Sequence, residues 1–355
     1  TSSSYTPPSY MASPTYTYAK TIKSNATVRE KPNASLGRIV DLPANVVLYI
    51  SGKQGDFYKI DAQGQTEYWI HKNNISKPAT VESKNEPQII HQKTYSDGYY
   101  DYAKFELTYP VLYTTKQTEN NIDLTMYGVK SQKSDGSINP NTTYTFSTGN
   151  NVLGYDCMYE GNYLVFKMAR PPKITDETMP LKGISIFVDP GHGGKEKGSV
   201  GPTRVAEKDV NLAISKYLID ELTKAGAIVT TSRTTDVQVP LYDRVKMGKN
   251  NNAFISVSIH SNALPNGKDP YQSHGTEVHY YNDNAKLLAE TIKNGLVKDL
   301  NLKDNGIHRS SFALNRSTNP ISVLVEVAYM IYPEEYMLLK NPVLKAYIQI
   351  GRAHV

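Results

Sequence analysis

The sequence predicts a multidomain protein with an N-terminal small β-barrel, a middle β-sandwich-like domain, and a C-terminal α/β domain whose mixed sheet is flanked by helices. The chain has 355 residues, which corresponds to two or three domains at roughly 100–200 residues per domain. Up to residue 172, short strand patterns alternate with turns, whereas from residue 183 strands alternate with helices. Proline-rich stretches separate these regions.

The composition is that of an ordinary globular protein, with 21% charged and 39% hydrophobic residues, which excludes wholesale disorder. The 39 basic and 34 acidic residues give a net charge of +5. This weak, scattered charge argues against a nucleic-acid partner but suits a polyanionic surface such as a cell wall. The apolar runs are no longer than strands, so we expect no membrane span. The single cysteine, Cys157, excludes an intrachain disulfide.

Changes in composition divide the chain into segments. The first 18 residues are rich in Ser, Thr, Pro and Tyr and carry no charge, which is typical of a flexible tail. The predicted segments are this tail at 1–18, a β-barrel at 19–78, a linker at 79–96, a β accessory domain at 97–172, a linker at 173–182, the α/β domain at 183–350, and a short tail at 351–355.

The predicted barrel contains strand patterns at 27–29, 46–50, 57–60 and 68–71, separated by evenly spaced turn signals. Its "VREKP" and "WIHKNNI" segments resemble the opening and closing segments of bacterial Src-homology-3-like domains. The matching residues are Val28, Arg29, Pro32, Gly37, Tyr58, Trp69 and Ile75. The resemblance implies wall-polymer binding by residues 19–78, and the alternative is a spacer without a ligand.

The middle segment alternates strand patterns with Asn, Gly, Ser and Asp turns, which predicts a β-sandwich without a catalytic cluster. The C-terminal segment has both periodicities. Its predicted strands lie at 184–188, 227–231, 254–259, 276–281 and 322–327, and its predicted helices lie at 208–225, 242–249 and 285–300. This alternation indicates a sheet with helices on both faces.

Three potential metal ligands lie at the ends of predicted elements of the α/β domain. His192, in "DPGHGG", follows the first strand, His260 follows the strand at 254–259, and Glu207 opens the first helix. Active sites of open α/β sheets collect at the carboxyl ends of the strands, so we expect the three to converge. Two His and one Glu form a zinc set that leaves a position for water. Each residue alone has an ordinary structural explanation, but their conjunction favours one bound zinc ion.

Glu326 lies in "SVLVEV", an otherwise apolar strand. Burying a carboxylate costs several kcal/mol unless it is paired or functional, so we predict a general base or acid, with a structural salt bridge as the alternative. We do not expect His274 and His308, which are predicted to lie in loops, or His279, which is predicted to lie in a strand, to be metal ligands.

Five segments together resemble the zinc-dependent N-acetylmuramoyl-L-alanine amidases over residues 183–350: "IFVDPGHGGKEKGSVGPTRVAEKDVNL", "TTSRTTDVQVPLYDR", "FISVSIHSNA", "GTEVHYY" and "ISVLVEVAYMIYPEE". The middle domain is loosely similar to β accessory domains that precede such amidase domains. The resemblance implies that His192, Glu207 and His260 bind zinc and that Glu326 is the catalytic carboxylate. It also places Asn262 next to the metal.

The same resemblance leaves two roles open for Arg233 and Arg244, which match basic positions of the family. They are either structural or in contact with a substrate carboxylate. The chain also departs from the family pattern. Ala328-Tyr329 stands where Gly-Phe is usual, and Ile331-Tyr332 replaces Ser-Asn. These departures change the wall beside the catalytic carboxylate.

The function implied is that of a secreted, wall-associated peptidoglycan hydrolase. It would cleave the amide between the lactyl group of N-acetylmuramic acid and L-alanine, using zinc-activated water and Glu326 as general base and acid. The alternatives are a zinc muropeptide peptidase with the same ligand set and a catalytically inactive wall-binding protein.

Overall fold

A computed structural model describes residues 16–34, 37–64, 66–84, 86–118, 120–133, 135–149, 153–174, 176–265 and 267–341. The described residues form two compact units. The N-terminal unit comprises residues up to 95 together with 102–147 and 157–166, and the C-terminal unit comprises 96–101, 148–156 and the residues from 167 onwards. The predicted barrel and most of the predicted accessory domain therefore share one unit.

Seven strands of the N-terminal unit form one sheet. They are β1 (Tyr16–Lys20), β2 (Ala26–Arg29), β3 (Arg38–Leu42), β4 (Val47–Gln54), β5 (Phe57–Ile60), β6 (Tyr68–His71) and β7 (Ala79–Val81), in the order β3-β2-β6-β5-β4-β1-β7. A short 3-10 helix, Lys72–Asn74, follows β6. The buried side chains of the seven-stranded sheet include Val28, Leu48 and Ile70. All four strands predicted for this region are present, while closure into a barrel stays a prediction.

Two predicted boundaries are wrong. Residues 16–18, assigned to the flexible tail, belong to β1, which pairs with both β4 and β7. The predicted linker at 79–96 contains β7 and β8 (Ile89–Ser96). Strand pairing is made by backbone groups, so segments of linker-like composition can form strands where a neighbouring strand offers a free edge. Residues 1–15 lie outside the described residues.

The middle segment continues with eight further strands: β9 (Tyr100–Leu107), β10 (Tyr113–Gln117), β11 (Asn121–Met126), β12 (Ser131–Gln132), β13 (Ile138–Asn139), β14 (Thr142–Ser147), β15 (Tyr155–Glu160) and β16 (Tyr163–Ala169). They form sheets in the orders β10-β11-β14, β12-β13 and β15-β16-β9-β8. Multiple β-sheets are therefore present as predicted. Their arrangement as a sandwich stays a prediction.

The C-terminal unit is built on a mixed six-stranded sheet, which confirms the predicted α/β class. Its strands are β17 (Ser185–Pro190), β18 (Ile228–Thr231), β19 (Ile255–Asn262), β20 (Thr276–Tyr280), β21 (Asp304–Arg309) and β22 (Ile321–Tyr329), in the order β18-β17-β19-β22-β20-β21. The first four strands in this order run parallel, and β20 runs antiparallel to β22. β22 therefore lies inside the sheet, between β19 and β20.

The helices of this unit are α1 (Glu207–Lys224), α2 (Leu241–Asn250), α3 (Lys286–Leu300) and α4 (Pro333–Lys340), with 3-10 turns at Asp283–Ala285 and Ala313–Asn315. α1 buries Val210, Ile214 and Leu218, which lie four residues apart on one face. The sequence did not predict β21 or α4, and His308 lies in β21 rather than in a loop. No described helix is both long and apolar enough to cross a membrane. The predicted tail at 351–355 lies outside the described residues.

Candidate functional site

The loop after β17 carries His192, and two buried arginines donate hydrogen bonds to its backbone. His192 has a φ of 60°, a left-handed conformation that is uncommon for a residue with a side chain. Arg233 donates to the carbonyl oxygens of Pro190 at 3.0 Å and Gly191 at 2.9 Å. Arg244 donates to the carbonyl oxygen of His192 at 2.6 Å. These hydrogen bonds fix the loop in the conformation that presents His192.

Three donor atoms converge beside this loop. His192 Nε2 and His260 Nδ1 each lie 3.1 Å from the same oxygen, Glu207 Oε1. The potential ligand atoms of His192, Glu207 and His260 all lie within 4.8 Å of one another, and no other such cluster occurs in the part of the chain that the structure describes. The structure thus brings together the three predicted ligands and excludes His274, His279 and His308 from that cluster.

Glu207 is buried at the start of α1, and each carboxylate oxygen has fixed partners. Oε2 accepts a hydrogen bond from the Ser199 backbone N–H at 2.8 Å, and Oε1 accepts from Asn211 Nδ2 at 3.1 Å. Burial acts to raise the pKa of Glu207, but hydrogen bonds to His192 and His260 lower it well below its usual range. The carboxylate is therefore charged and oriented towards the two imidazoles.

The surroundings of the three donors fit a small cation. Ligands about 2.0–2.2 Å from a tetrahedral zinc ion lie roughly 3.3–3.6 Å apart, close to the 3.1 Å separations found here. A methyl group on Gly191 would lie 2.4 Å from the His260 ring, and one on Gly198 would lie 2.4 Å from Glu207 Oε2. Glycine at these two positions is what lets the loop approach the donors so closely.

Glu326 lies beside this cluster because β22 pairs with β19. In the parallel register His260 is directly opposite Glu326, so the two side chains project from the same face of the sheet. Glu326 Oε2 is buried and has no hydrogen-bond partner within the described part of the chain. Burial, followed by the charges of Glu207 and Glu277, raises the pKa of Glu326 well above its usual value. Among the residues that the structure describes, no cation is paired with Glu326, so a salt bridge with one of them does not account for it.

A third carboxylate, Glu277, was not singled out in the sequence. It lies opposite Glu326 in the antiparallel pairing of β20 with β22. Its Oε1 accepts from Asn262 Nδ2 at 2.8 Å, and its Oε2 accepts from Asn305 Nδ2 at 2.7 Å. Burial acts to raise the pKa of Glu277, but a hydrogen bond to His279 and the charge of His308 contribute to lowering it. The sequence carries no distinct signal for Glu277, because its strand alternates polar and apolar residues as any half-buried strand does.

The remaining predicted site residues differ in where they point. Asn262 follows His260 on β19. Its side-chain amide donates a hydrogen bond to Glu277 and accepts one from the Ala263 N–H, each at 2.8 Å. Arg233 and Arg244 are each only 3% exposed, and Arg244 Nη1 forms a 2.8 Å salt bridge with buried Asp189. Both guanidinium groups therefore support the loop, which favours the structural interpretation over a substrate contact.

The fold and the site together define a class of protein. Its members have an α/β domain with a three-residue candidate metal site at the carboxyl edge of the sheet. Residues 186–353 match the family model described as N-acetylmuramoyl-L-alanine amidase. The chain belongs to the N-acetylmuramoyl-L-alanine amidase family.

The chain is similar to two relatives from Bacillus subtilis and to one solved structure. N-acetylmuramoyl-L-alanine amidase LytC of Bacillus subtilis is 35% identical over 170 residues, which is 47% of this chain and 33% of LytC. The uncharacterized protein YqiI of the same organism is 34% identical over 155 residues, 42% of this chain and 72% of YqiI. The crystal structure of an N-acetylmuramoyl-L-alanine amidase from Clostridium difficile 630 is 34% identical with a TM-score of 0.45, covering 47% of this chain and 91% of that one. The chain thus spans about a third of LytC.

Proposed function

We propose that this chain is a zinc-dependent peptidoglycan amidase that hydrolyses the amide between the lactyl group of N-acetylmuramic acid and the L-alanine of the stem peptide. The observation that carries the proposal is the register of β19 and β22. In this register Glu326, whose buried Oε2 has no partner among the described residues, lies beside His260 and thus beside the three-donor cluster. A free carboxyl group next to a candidate metal site is the arrangement that metal-assisted hydrolysis requires.

His192, Glu207 and His260 would hold one zinc ion through two nitrogens and one oxygen, a set that keeps a coordination position open. When bound, zinc polarises a carbonyl group and lowers the pKa of water. The chain itself supplies the rest of the chemistry. Glu326 accepts a proton from the attacking water and transfers it to the departing amine, so one group acts first as base and then as acid.

Burial matters for this role of Glu326. Its raised pKa makes it a stronger base than an exposed carboxylate, so it takes up the proton readily and still releases it to an amine. Arg233 and Arg244 act indirectly, by holding the loop that carries His192. Asn262 is placed to contact substrate only if its hydrogen bond to Glu277 opens, so we propose a positioning role for it.

The proposed substrate also indicates where in the cell the protein acts. Peptidoglycan lies outside the cytoplasmic membrane, so we propose a secreted, wall-associated protein. We further propose that residues 19–78 bind wall polymer. Lys53, which lies 5.5 Å above the Tyr58 ring, offers an exposed cation and an aromatic surface to a polyanion. Sedimentation of the full-length protein with insoluble walls should be reduced by Lys53→Glu, and unchanged retention would leave this region as a spacer.

Product analysis tests the enzymatic proposal. Purified protein is incubated with muropeptides, and the products are identified by mass spectrometry. We expect intact stem peptides with a free L-alanine amine, together with peptide-free glycan. Cleavage within the stem peptide would instead indicate a muropeptide peptidase. Chelation should abolish hydrolysis and added zinc should restore it, and a purified protein without metal or activity would indicate a wall-binding protein.

A further inference from the structure

Three aromatic rings contact one another in the C-terminal unit and form a surface that we call the aromatic platform: Tyr271, His274 and Tyr332. The His274 ring stacks on Tyr332 with centroids 3.9 Å apart and planes inclined by 10°. Tyr271 meets Tyr332 edge-on at 5.4 Å and 82°. Tyr271 is 62% exposed, so its ring is accessible to a ligand.

A buried carboxylate holds the aromatic platform in place. Glu335 is 4% exposed, and its Oε1 lies 2.9 Å from His274 Nδ1. Its Oε2 accepts from the Tyr329 backbone N–H at 2.7 Å. The His274 ring is thus fixed to the end of β22, so the stacked surface exists before any ligand binds and costs little conformational entropy on binding.

The aromatic platform lies at the edge of the sheet where the candidate site is located. Tyr332 follows the end of β22 six residues after Glu326, and His274 precedes β20 three residues before Glu277. Glu326 and Glu277 are direct partners in the pairing of β20 with β22. The two segments that carry the aromatic platform therefore extend from strands that carry the carboxylates of the site. One of its rings, Tyr332, is also a position where the sequence departs from the family pattern.

The charge beside the aromatic platform narrows the class of ligand. Desolvation and the charge of exposed Glu334 both act to raise the pKa of the Tyr332 hydroxyl, so a carboxylate lies close to the aromatic platform. A carboxylate accepts hydrogen bonds from hydroxyl groups and repels another carboxylate. Flat aromatic rings with polar edges offer apolar area to C–H groups. A neutral pyranose presents C–H groups on its faces and hydroxyls at its rim, whereas a stem peptide brings carboxylates.

We propose that the aromatic platform is a glycan subsite that binds a sugar ring adjacent to the muramic acid whose amide is cleaved. This proposal rests on the proposed amidase function. It adds that the chain selects substrates by the length of the glycan they carry, and not by the stem peptide alone.

Kinetics on two soluble substrates test the proposal, one a muramoyl peptide with a single sugar and the other the same peptide on a tetrasaccharide. For Tyr271→Ala and Tyr332→Ala we expect KM for the tetrasaccharide substrate to rise roughly two- to tenfold, as for the loss of one aromatic contact. We expect kcat to stay the same, and KM for the single-sugar substrate not to move. Tyr242→Ala, which removes a tyrosine from α2 that is 66% exposed, is the matched control and should change neither value.

The outcomes are separable. Equal KM for both substrates in the variants and in the unmodified protein would overturn the proposal, as would an equal rise for both substrates. Tyr271 is so exposed that its replacement leaves the fold intact, which keeps the test valid if Tyr332→Ala fails to fold. If the unmodified protein cleaves neither substrate, the proposed function fails. Calorimetric titration of Glu326→Gln with an N-acetylglucosamine tetramer then tests the subsite alone. Binding that Tyr271→Ala weakens would support it, and absence of binding would refute it.

Discussion

The two compact units bury different kinds of polar side chain. Among the described residues, the buried polar side chains of the N-terminal unit are three threonines, Thr21, Thr114 and Thr142. The C-terminal unit buries charged groups as well: Asp189, Glu207, Arg233, Arg244 and Glu335. A buried hydroxyl is satisfied by one or two neighbours, whereas a buried charge costs several kcal/mol and must be paired. The candidate metal site thus lies in the unit that buries charged groups.

The hydrogen-bond partners of these buried side chains show how each unit offsets the free-energy cost of burying polar groups. Thr21 Oγ1 donates to the Pro43 carbonyl at 2.5 Å and accepts from the Val46 N–H at 2.8 Å, which ties two neighbouring backbone segments together. Asp189 accepts from Arg244 and from Ser258, each at 2.8 Å, directly beneath the loop of His192. In the C-terminal unit, buried polar contacts therefore support the candidate site as well as the fold.

The largest expected effect is on turnover. Glu326→Gln keeps the shape of the side chain but cannot accept the proton, so kcat should fall by roughly 10²–10⁴-fold. Zinc content should be unchanged because His192, Glu207 and His260 remain, and the melting temperature should hold or rise because an unpaired buried carboxyl is removed. Glu177→Gln, at an exposed position of the same unit, is the control. Retained kcat with reduced stability would assign Glu326 to the fold alone.

The next effect is on stability and compares a buried ion pair with an exposed one. Arg244→Leu leaves Asp189 buried without its cation and should lower the free energy of unfolding by about 3–5 kcal/mol. Lys72→Met breaks the 2.9 Å surface pair with Asp56 in the N-terminal unit and should change the free energy of unfolding little or not at all, because solvent screens exposed charges. Guanidinium unfolding of both variants measures the difference. Equal losses would contradict the contrast between the units.

A third expectation concerns acid. The pKa of Glu207 is lowered from its ordinary value of 4.5, so the folded state is stabilised by the charged form. That contribution is complete above about pH 4.5 and is lost as the pH falls towards the lowered pKa. In chelator-treated protein, unfolding measured from pH 6 to pH 3 should therefore lose more stability in the unmodified chain than in Glu207→Gln. Parallel pH profiles would show that Glu207 makes no such contribution.

A further effect on stability is expected from a buried hydrogen bond of the N-terminal unit. Thr21→Val removes two hydrogen bonds but preserves the shape of the side chain, leaving the Val46 N–H without its partner. The loss should be about 1–3 kcal/mol, as for one unsatisfied buried donor. Hydrogen exchange at the amides of β1 and β4 should accelerate, while hydrolysis stays unchanged. A loss of hydrolysis would mean that the two units are not functionally separate.

The sequence predicted those candidate site residues whose type is unusual for their immediate sequence surroundings. Glu326 stands out as a carboxylate in an apolar strand, and His192 and His260 directly follow strand patterns. Glu277 was missed because its strand, TEVHY, alternates polar and apolar residues as any half-buried strand does. Its importance comes from the antiparallel register with β22, which is a long-range pairing that the local pattern does not encode.

The errors in the fold have a similar origin. β21, DNGIHR, has the composition of a turn, and it is a strand because it pairs with β20 at the edge of the sheet. The same holds for residues 16–18 and 79–81, whose composition indicates a tail and a linker but which pair with each other as β1 and β7. Composition predicts what a segment prefers alone, and a neighbouring strand can override that preference.

The position of β22 has a consequence for when this protein becomes competent. His192, Glu207 and His260 lie within one stretch of the chain, but Glu326 arrives with the last strand of the sheet, which must be inserted between β19 and β20. Such an insertion depends on contacts distant along the chain and is expected to come late in folding. A half-made sheet would thus contain the three clustered donors without the carboxyl group. Completing the sheet and bringing all four residues of the candidate site together are therefore the same step.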